Sequence, residues 1–272
     1  MAGDTLADAM TVADRLCRSG LGVTLGYWDG PTDSPRRVAD EYLDCVRALV
    51  GNEYGYVSIK APALDYSTVL LDELVSEAIT HKLRLHFDSL GPETVLPTQR
   101  AMDRLLERGG EISCTLPGRW RRSVADVPWA LERELTVRVV KGQWPDPLHP
   151  DFDPRTGFLL VIDALAGRAR HVAVASHDVS LAAEAVRRLQ ARGTSCEIEL
   201  LYGLPMRRSL RLADDAGLGV RTYVPYGESF LPYAMKRLAH DPRIAWRLLR
   251  DAAKGWRPAA ASPVRDGSLS LR

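Results

Sequence analysis

Eight short runs of β-branched and apolar residues, each followed by a longer stretch whose apolar residues recur every third or fourth position, leave few folds open to this chain. The runs are GVTLGYW (Gly22 to Trp28), YVSIK (Tyr56 to Lys60), LRLHFD (Leu83 to Asp88), EISCTL (Glu111 to Leu116), LTVRVVK (Leu135 to Lys141), HVAVASH (His171 to His177), CEIELLYG (Cys196 to Gly203) and VRTYVPYG (Val220 to Gly227). Their starts lie roughly 25 to 35 residues apart. That spacing holds a strand, a crossover helix and two loops, so neighbouring strands pair in parallel. Eight such units in 272 residues predict an α/β fold of the closed (βα)8 barrel type. Against the competing doubly wound sheet, no strand-to-helix turn carries a Gly-rich phosphate fingerprint; GLGV (Gly217 to Val220) precedes a strand instead of following one. No linker or repeat divides the chain, which reads as one domain over 1–272. A helix is expected near the start, with Thr5 and Asp8 spaced as a capping box and Gly20 as its stop, and a loose Ser-, Gly- and Pro-rich tail over roughly 259–272.

Composition removes several classes of function. A net charge of +1 supplies no basic field for a nucleic-acid backbone, and no apolar run approaches the roughly 20 residues of a membrane span. The first twenty residues are too charged for a targeting signal, so a cytoplasmic setting is expected. Cys17, Cys45, Cys114 and Cys196 stand singly and read as buried free thiols; the six histidines form no ligand pair, and no metal is expected.

A barrel of this kind builds its active site at the C-terminal ends of its strands. There the sequence places Lys60, Asp88, Lys141, Ser176, His177, Tyr202, Tyr223 and Tyr226. Taken singly, a Lys or Asp at a strand end serves equally well as an exit to solvent or as a site residue; taken together they argue for a site. Arg138 constrains most, because it interrupts an apolar strand and an unpaired guanidinium is costly to bury. An anionic or electron-rich ligand would relieve that cost, and so would an ion pair with a neighbouring carboxylate such as Asp88. Gly142 leaves the backbone beside it open to a ligand. Beyond the last strand a helix is expected from near Ser229 to Pro242, with Tyr233, Lys236, Arg237 and His240 on one face suited to a carboxylate. No serine-nucleophile elbow is present, whereas a Schiff-base lysine at Lys60 or Lys141 keeps aldolase or lyase chemistry open.

These strand-end residues resemble the bacterial proline dehydrogenases, flavin-dependent (βα)8 enzymes. The likeness is carried by VRVVKGQW (Val137 to Trp144), similar to that family's VKGAYW strand, by EIELLYGLP (Glu197 to Pro205), similar to FQMLYGM, and by VRTYVPYGESFLPYAMKRLAHDP (Val220 to Pro242), similar to VYVPYG followed by a YxxRRxxE helix. The resemblance implies FAD as cofactor, with Arg138 at the flavin N5 edge and Lys141, Gly142, Trp144, His177, Leu201 and His240 lining the cofactor. It implies that Lys60 and Asp88 orient the substrate, that Tyr223 packs over its ring, and that Tyr233, Lys236 and Arg237 hold its carboxylate. The implied reaction is hydride transfer from L-proline, or a related cyclic or secondary amino acid, to FAD, giving pyrroline-5-carboxylate. Electrons would pass on to a quinone or another carrier, reached peripherally at the inner membrane surface.

The chain also departs from the family pattern. Lys236 and His240 replace an arginine and the glutamate of the helix, EISCTLPGRW lacks the glutamine of VLQAYL, ASHD stands for ATHN and LGYWD for LDYLGE. Two further readings therefore stay open: a barrel with different, FAD-independent chemistry on an anionic amino-acid-like substrate, and a catalytically silent paralogue.

Overall fold

The computed structural model describes residues 2–52 and 55–229. Within them β1 (Gly22–Tyr27), β2 (Gly55–Ile59), β3 (Leu85–Phe87), β4 (Ile112–Pro117), β5 (Thr136–Val140), β6 (His171–Ala175), β7 (Ser195–Leu201) and β8 (Val220–Tyr226) pair in parallel, each with the next, and β8 closes on β1. The ring is sealed in register from Gly22 opposite Arg221 to Tyr27 opposite Tyr226. Helices α2 (Pro35–Ala48), α3 (Thr68–Thr80), α4 (Val95–Glu107), α5 (Ser123–Glu132), α6 (Pro154–Leu165), α7 (Val179–Ala191) and α8 (Arg207–Asp215) make the crossovers between successive strands.

Local chemistry starts these helices where the chain leaves a strand. Ser34, Asp153 and Asp178 cap α2, α6 and α7 by accepting backbone N–H groups, and Pro35 and Pro154 fill first positions that need no amide hydrogen. Helix α1 (Leu6–Arg18) precedes β1 and opens with the Thr5–Asp8 capping box. It packs on β8 and β1, and so covers the seam where the ring closes.

Side chains alternate along each strand, and both faces of the sheet are covered. Val137 and Val139 of β5 face the helices and are fully buried, whereas Arg138 between them faces the barrel axis. The same alternation turns Tyr56 and Ser58, Asp88, Glu197 and Glu199, and Arg221 and Tyr223 inward, where they bond to one another. This barrel therefore has an apolar jacket between strands and helices and a polar, charged interior. Cys45, Cys114 and Cys196 are buried thiols, and burial pushes the first two up to about 12.

Among the described residues no helix is long and apolar enough to cross a membrane, and no cluster of metal-ligating side chains occurs. The expected helix with Tyr233, Lys236, Arg237 and His240, and the tail over 259–272, lie outside the described residues.

Candidate active site

Arg138 is the hub of the interior. Its Nε donates to Glu199 Oε2 at 2.8 Å and its Nη2 to Glu199 Oε1 at 2.6 Å, while Nη1 donates to Asp88 Oδ1 at 2.7 Å. Weaker bonds of 3.4 Å run from Nη1 to Ser58 Oγ and from Nη2 to Tyr56 Oη. The guanidinium lies 5.3 Å from the Tyr223 ring centroid and 6.0 Å from that of Tyr56, within cation–π range. Burial alone would lower its pKa, but Glu199, Tyr56 and Asp88 outweigh it and hold the group well above its ordinary value. The cost of burying this cation is thus met inside the barrel by two carboxylates, and not by a ligand alone.

Asp88 joins this hub to the mouth. Its Oδ1 accepts from Ser58 at 2.8 Å as well as from Arg138, and its Oδ2 accepts from Tyr223 Oη at 3.2 Å. Tyr223 Oη in turn accepts from Trp28 Nε1 at 3.0 Å. Desolvation and the Asp88 charge push the Tyr223 phenol well above its ordinary pKa, so it remains a proton donor. Lys60, one residue past β2, donates from Nζ to Asp29 Oδ1 at 2.7 Å and to the Tyr27 carbonyl at 3.1 Å, with the Trp28 ring centroid 5.5 Å away. Lys60, Asp88, Arg138 and Tyr223 thus belong to one end of the barrel, on or just beyond four different strands.

The residues that the family resemblance assigns to a flavin lie further round the mouth. His177 accepts at Nε2 from the Leu201 amide at 2.9 Å, which leaves Nδ1 to donate to the Pro205 carbonyl at 3.2 Å and so fixes the tautomer of a neutral ring. Lys141 is half-exposed, 3.8 Å from Asp178. Trp144 is 46% exposed, with its carbonyl accepting from Trp120 Nε1. Gly142 has φ +92°, and a β-carbon there would press on Pro117 and Arg119. That glycine therefore serves a left-handed turn under the next loop, in addition to any approach of a ligand. Tyr202 and Tyr226 fall on the outward parity of their strands: Tyr202 Oη accepts from Arg15 of α1, and Tyr226 bonds to Glu41 and Cys45 of α2. Both leave the group of mouth residues that strand-end reading had assembled.

Several interior groups escaped the sequence reading. Glu199 is also approached by Tyr56 Oη at 3.2 Å and Thr24 Oγ1 at 3.4 Å. His86 bonds Ser113 Oγ through Nδ1 at 2.8 Å and Thr115 Oγ1 through Nε2 at 2.7 Å, and desolvation with the nearby Arg138 charge keeps it neutral. Deeper still, Arg221 donates to Glu197 at 2.8 Å, beside His171. The available signal was alternation: in a parallel strand buried on both faces, charges at every second position can point only into the barrel.

No protein-family model matches the chain. It is 26% identical over 276 residues to proline dehydrogenase 1 of Bacillus subtilis, covering 93% of this chain and 89% of that protein. It is 24% identical over 278 residues to proline dehydrogenase of Deinococcus radiodurans, covering 94% and 89%. Among solved structures, proline utilization A of Bdellovibrio bacteriovorus superposes with a TM-score of 0.76 at 18% identity, over 99% of this chain and 36% of that longer one, a likeness of fold. The chain is a divergent relative of the bacterial proline dehydrogenases, built on a (βα)8 barrel.

Proposed function

We propose that the protein is a flavin-dependent oxidoreductase that oxidises L-proline, or a related cyclic or secondary amino acid, to the imine; for proline the product is pyrroline-5-carboxylate. The observation that carries this reading is the meeting of Lys60, Asp88, Arg138 and Tyr223 at one end of the barrel, in a chain whose curated relatives bear the name proline dehydrogenase.

The inward positions at the strand ends suit a flat ring. On β4 to β7 they are Pro117, Val140, Ala175 and Leu201, an apolar half of the mouth, whereas Tyr223, Lys60 and Asp88 make the other half polar. FAD would lie along the apolar half, near Lys141, Gly142, Trp144, His177 and Leu201, and would supply hydride acceptance. On the polar half, Tyr223 offers its ring face to the substrate, steadied through its hydroxyl by Trp28 and Asp88. Lys60, held by Asp29, is the described cation placed to meet a carboxylate, a task shared in this reading with Tyr233, Lys236 and Arg237. Asp88 keeps Arg138 and Tyr223 in fixed relation, so that the ring edge and the substrate face a single rigid surface. Electrons would leave to a quinone or another carrier.

The test is direct. Purified protein should be yellow, show flavin absorbance and bleach anaerobically with L-proline. A colourless protein that stays colourless with added FAD overturns the reading. One observation favours FAD-independent chemistry as the second reading: every N–H edge of Arg138 already faces an acceptor of the barrel itself.

A further inference from the structure

Glu199 turns both carboxylate oxygens on one guanidinium, at 2.8 and 2.6 Å, the fork-to-fork arrangement that gives ion pairs their greatest strength and directionality. The two side chains are only 5% and 3% exposed, so water screens the pair little. Tyr56 and Thr24 reach the same carboxylate from β2 and β1, so that both of its oxygens accept a second bond besides that from Arg138. With Asp88 on the remaining edge, the cluster carries two negative charges against one positive. When EIELLYG is aligned with FQMLYGM on the LYG they share, Glu199 stands at the glutamine, a side chain of the same length without the charge.

We propose that Glu199 is a positioning residue that clamps and neutralises Arg138, and thereby lowers the reduction potential of the bound flavin below what a glutamine at this position would give. The inference rests on the flavin reading above. Two-electron reduction places negative charge on the flavin ring, and an uncompensated guanidinium near its edge would stabilise that charge. With Asp88 already paired to the guanidinium, the Glu199 charge leaves the cluster net negative, and the low dielectric of the buried site enlarges the effect of that charge on the ring. Electrons should therefore rest less firmly on the ring and pass more readily to the next carrier.

The experiment compares Glu199→Gln, which keeps the shape and removes the charge, with Glu199→Asp, which keeps the charge. The readout is the midpoint potential of FAD in the purified holoprotein. Glu199→Gln should raise it by about 30 mV or more, a tenfold change in equilibrium constant for a two-electron couple, while Glu199→Asp stays near the wild type. Equal potentials in wild type and Glu199→Gln, or the same rise in both variants, overturn the proposal. If the wild type takes up no FAD, the proline dehydrogenase reading falls, and the clamp is tested without flavin. Glu199→Ala should then regain thermal stability in acetate at constant ionic strength, because acetate refits the guanidinium, whereas the wild type should not respond. No rescue of Glu199→Ala overturns the clamp as well.

Discussion

The hydroxyl of Tyr223 lies over the α-carbon of Gly26, in the space that a β-carbon would fill. β8 and β1 are paired, so this close approach is set by the register at the seam, Thr24 opposite Tyr223, and only glycine at position 26 lets the phenol reach Trp28 and Asp88. Gly26→Ala should therefore push Tyr223 off both partners. Overpacking of this kind costs about 1–3 kcal/mol, and under the proposed function turnover should fall more than stability, because the displaced ring is the one assigned to the substrate. Thermal unfolding and steady-state kinetics measure the two effects; unchanged kinetics would remove Tyr223 from the site.

Lys60 is held between Asp29 and the Tyr27 carbonyl before any substrate arrives. Lys60→Ala should lower kcat/KM for the amino acid by tenfold to a hundredfold, about 1.4–2.7 kcal/mol, chiefly through KM. Asp29→Asn should give a smaller loss, since the cation remains but its hold weakens. Kinetics of both variants equal to the wild type would place this pair outside the chemistry.

His86 spends both ring nitrogens on hydroxyls of β4. Ser113→Ala leaves Nδ1 buried without its partner and should cost about 1–3 kcal/mol. Because the imidazole is held neutral by burial and by Arg138, lowering the pH toward 5 should not charge it in the folded state. An NMR titration showing His86 protonated above pH 6 would contradict this arrangement.

Glu197 supplies an acid-side limit to stability. Burial opposes its ionised form, but Arg221 and His171 outweigh burial and lower its pKa from 4.5 to about 2. A carboxylate depressed in the folded state contributes stability above its unfolded pKa and loses it as pH falls from about 4.5 toward 2. The contribution at neutral pH is on the order of 3 kcal/mol. Glu197→Gln should lower stability at neutral pH and flatten the decline in that window; denaturant unfolding across pH 2 to 7 is the measurement. An unaltered decline would mean that other carboxylates carry it.

The eight strands and the α1 capping box were legible because period and capping chemistry are local properties. The strand-end residues Lys60, Asp88 and Tyr223, and the interior Arg138, were legible because charged or aromatic groups at barrel ends have few places to go. Glu199, Tyr56 and His86 were not, since EIELL, YVSIK and LRLHF read as ordinary strand alternation until both faces of the sheet are known to be covered. Tyr202 and Tyr226 were misplaced by a single residue, and with a period of two that sends a side chain to the opposite face. Pairing between strands that are not neighbours is a long-range fact: Arg138 and Glu199 stand on strands separated by β6.

The seam covered by α1 has a consequence for how the protein is made. Helix α1 packs on both β1 and β8, so the seam beneath it cannot close until β8, the last of the described strands, has left the ribosome. Pairing across such a sequence distance is slow to form and leaves an unpaired edge exposed meanwhile. Shortening the chain ahead of Gly22 would uncover that seam, and should lower both the yield of folded protein and the stability of the finished barrel.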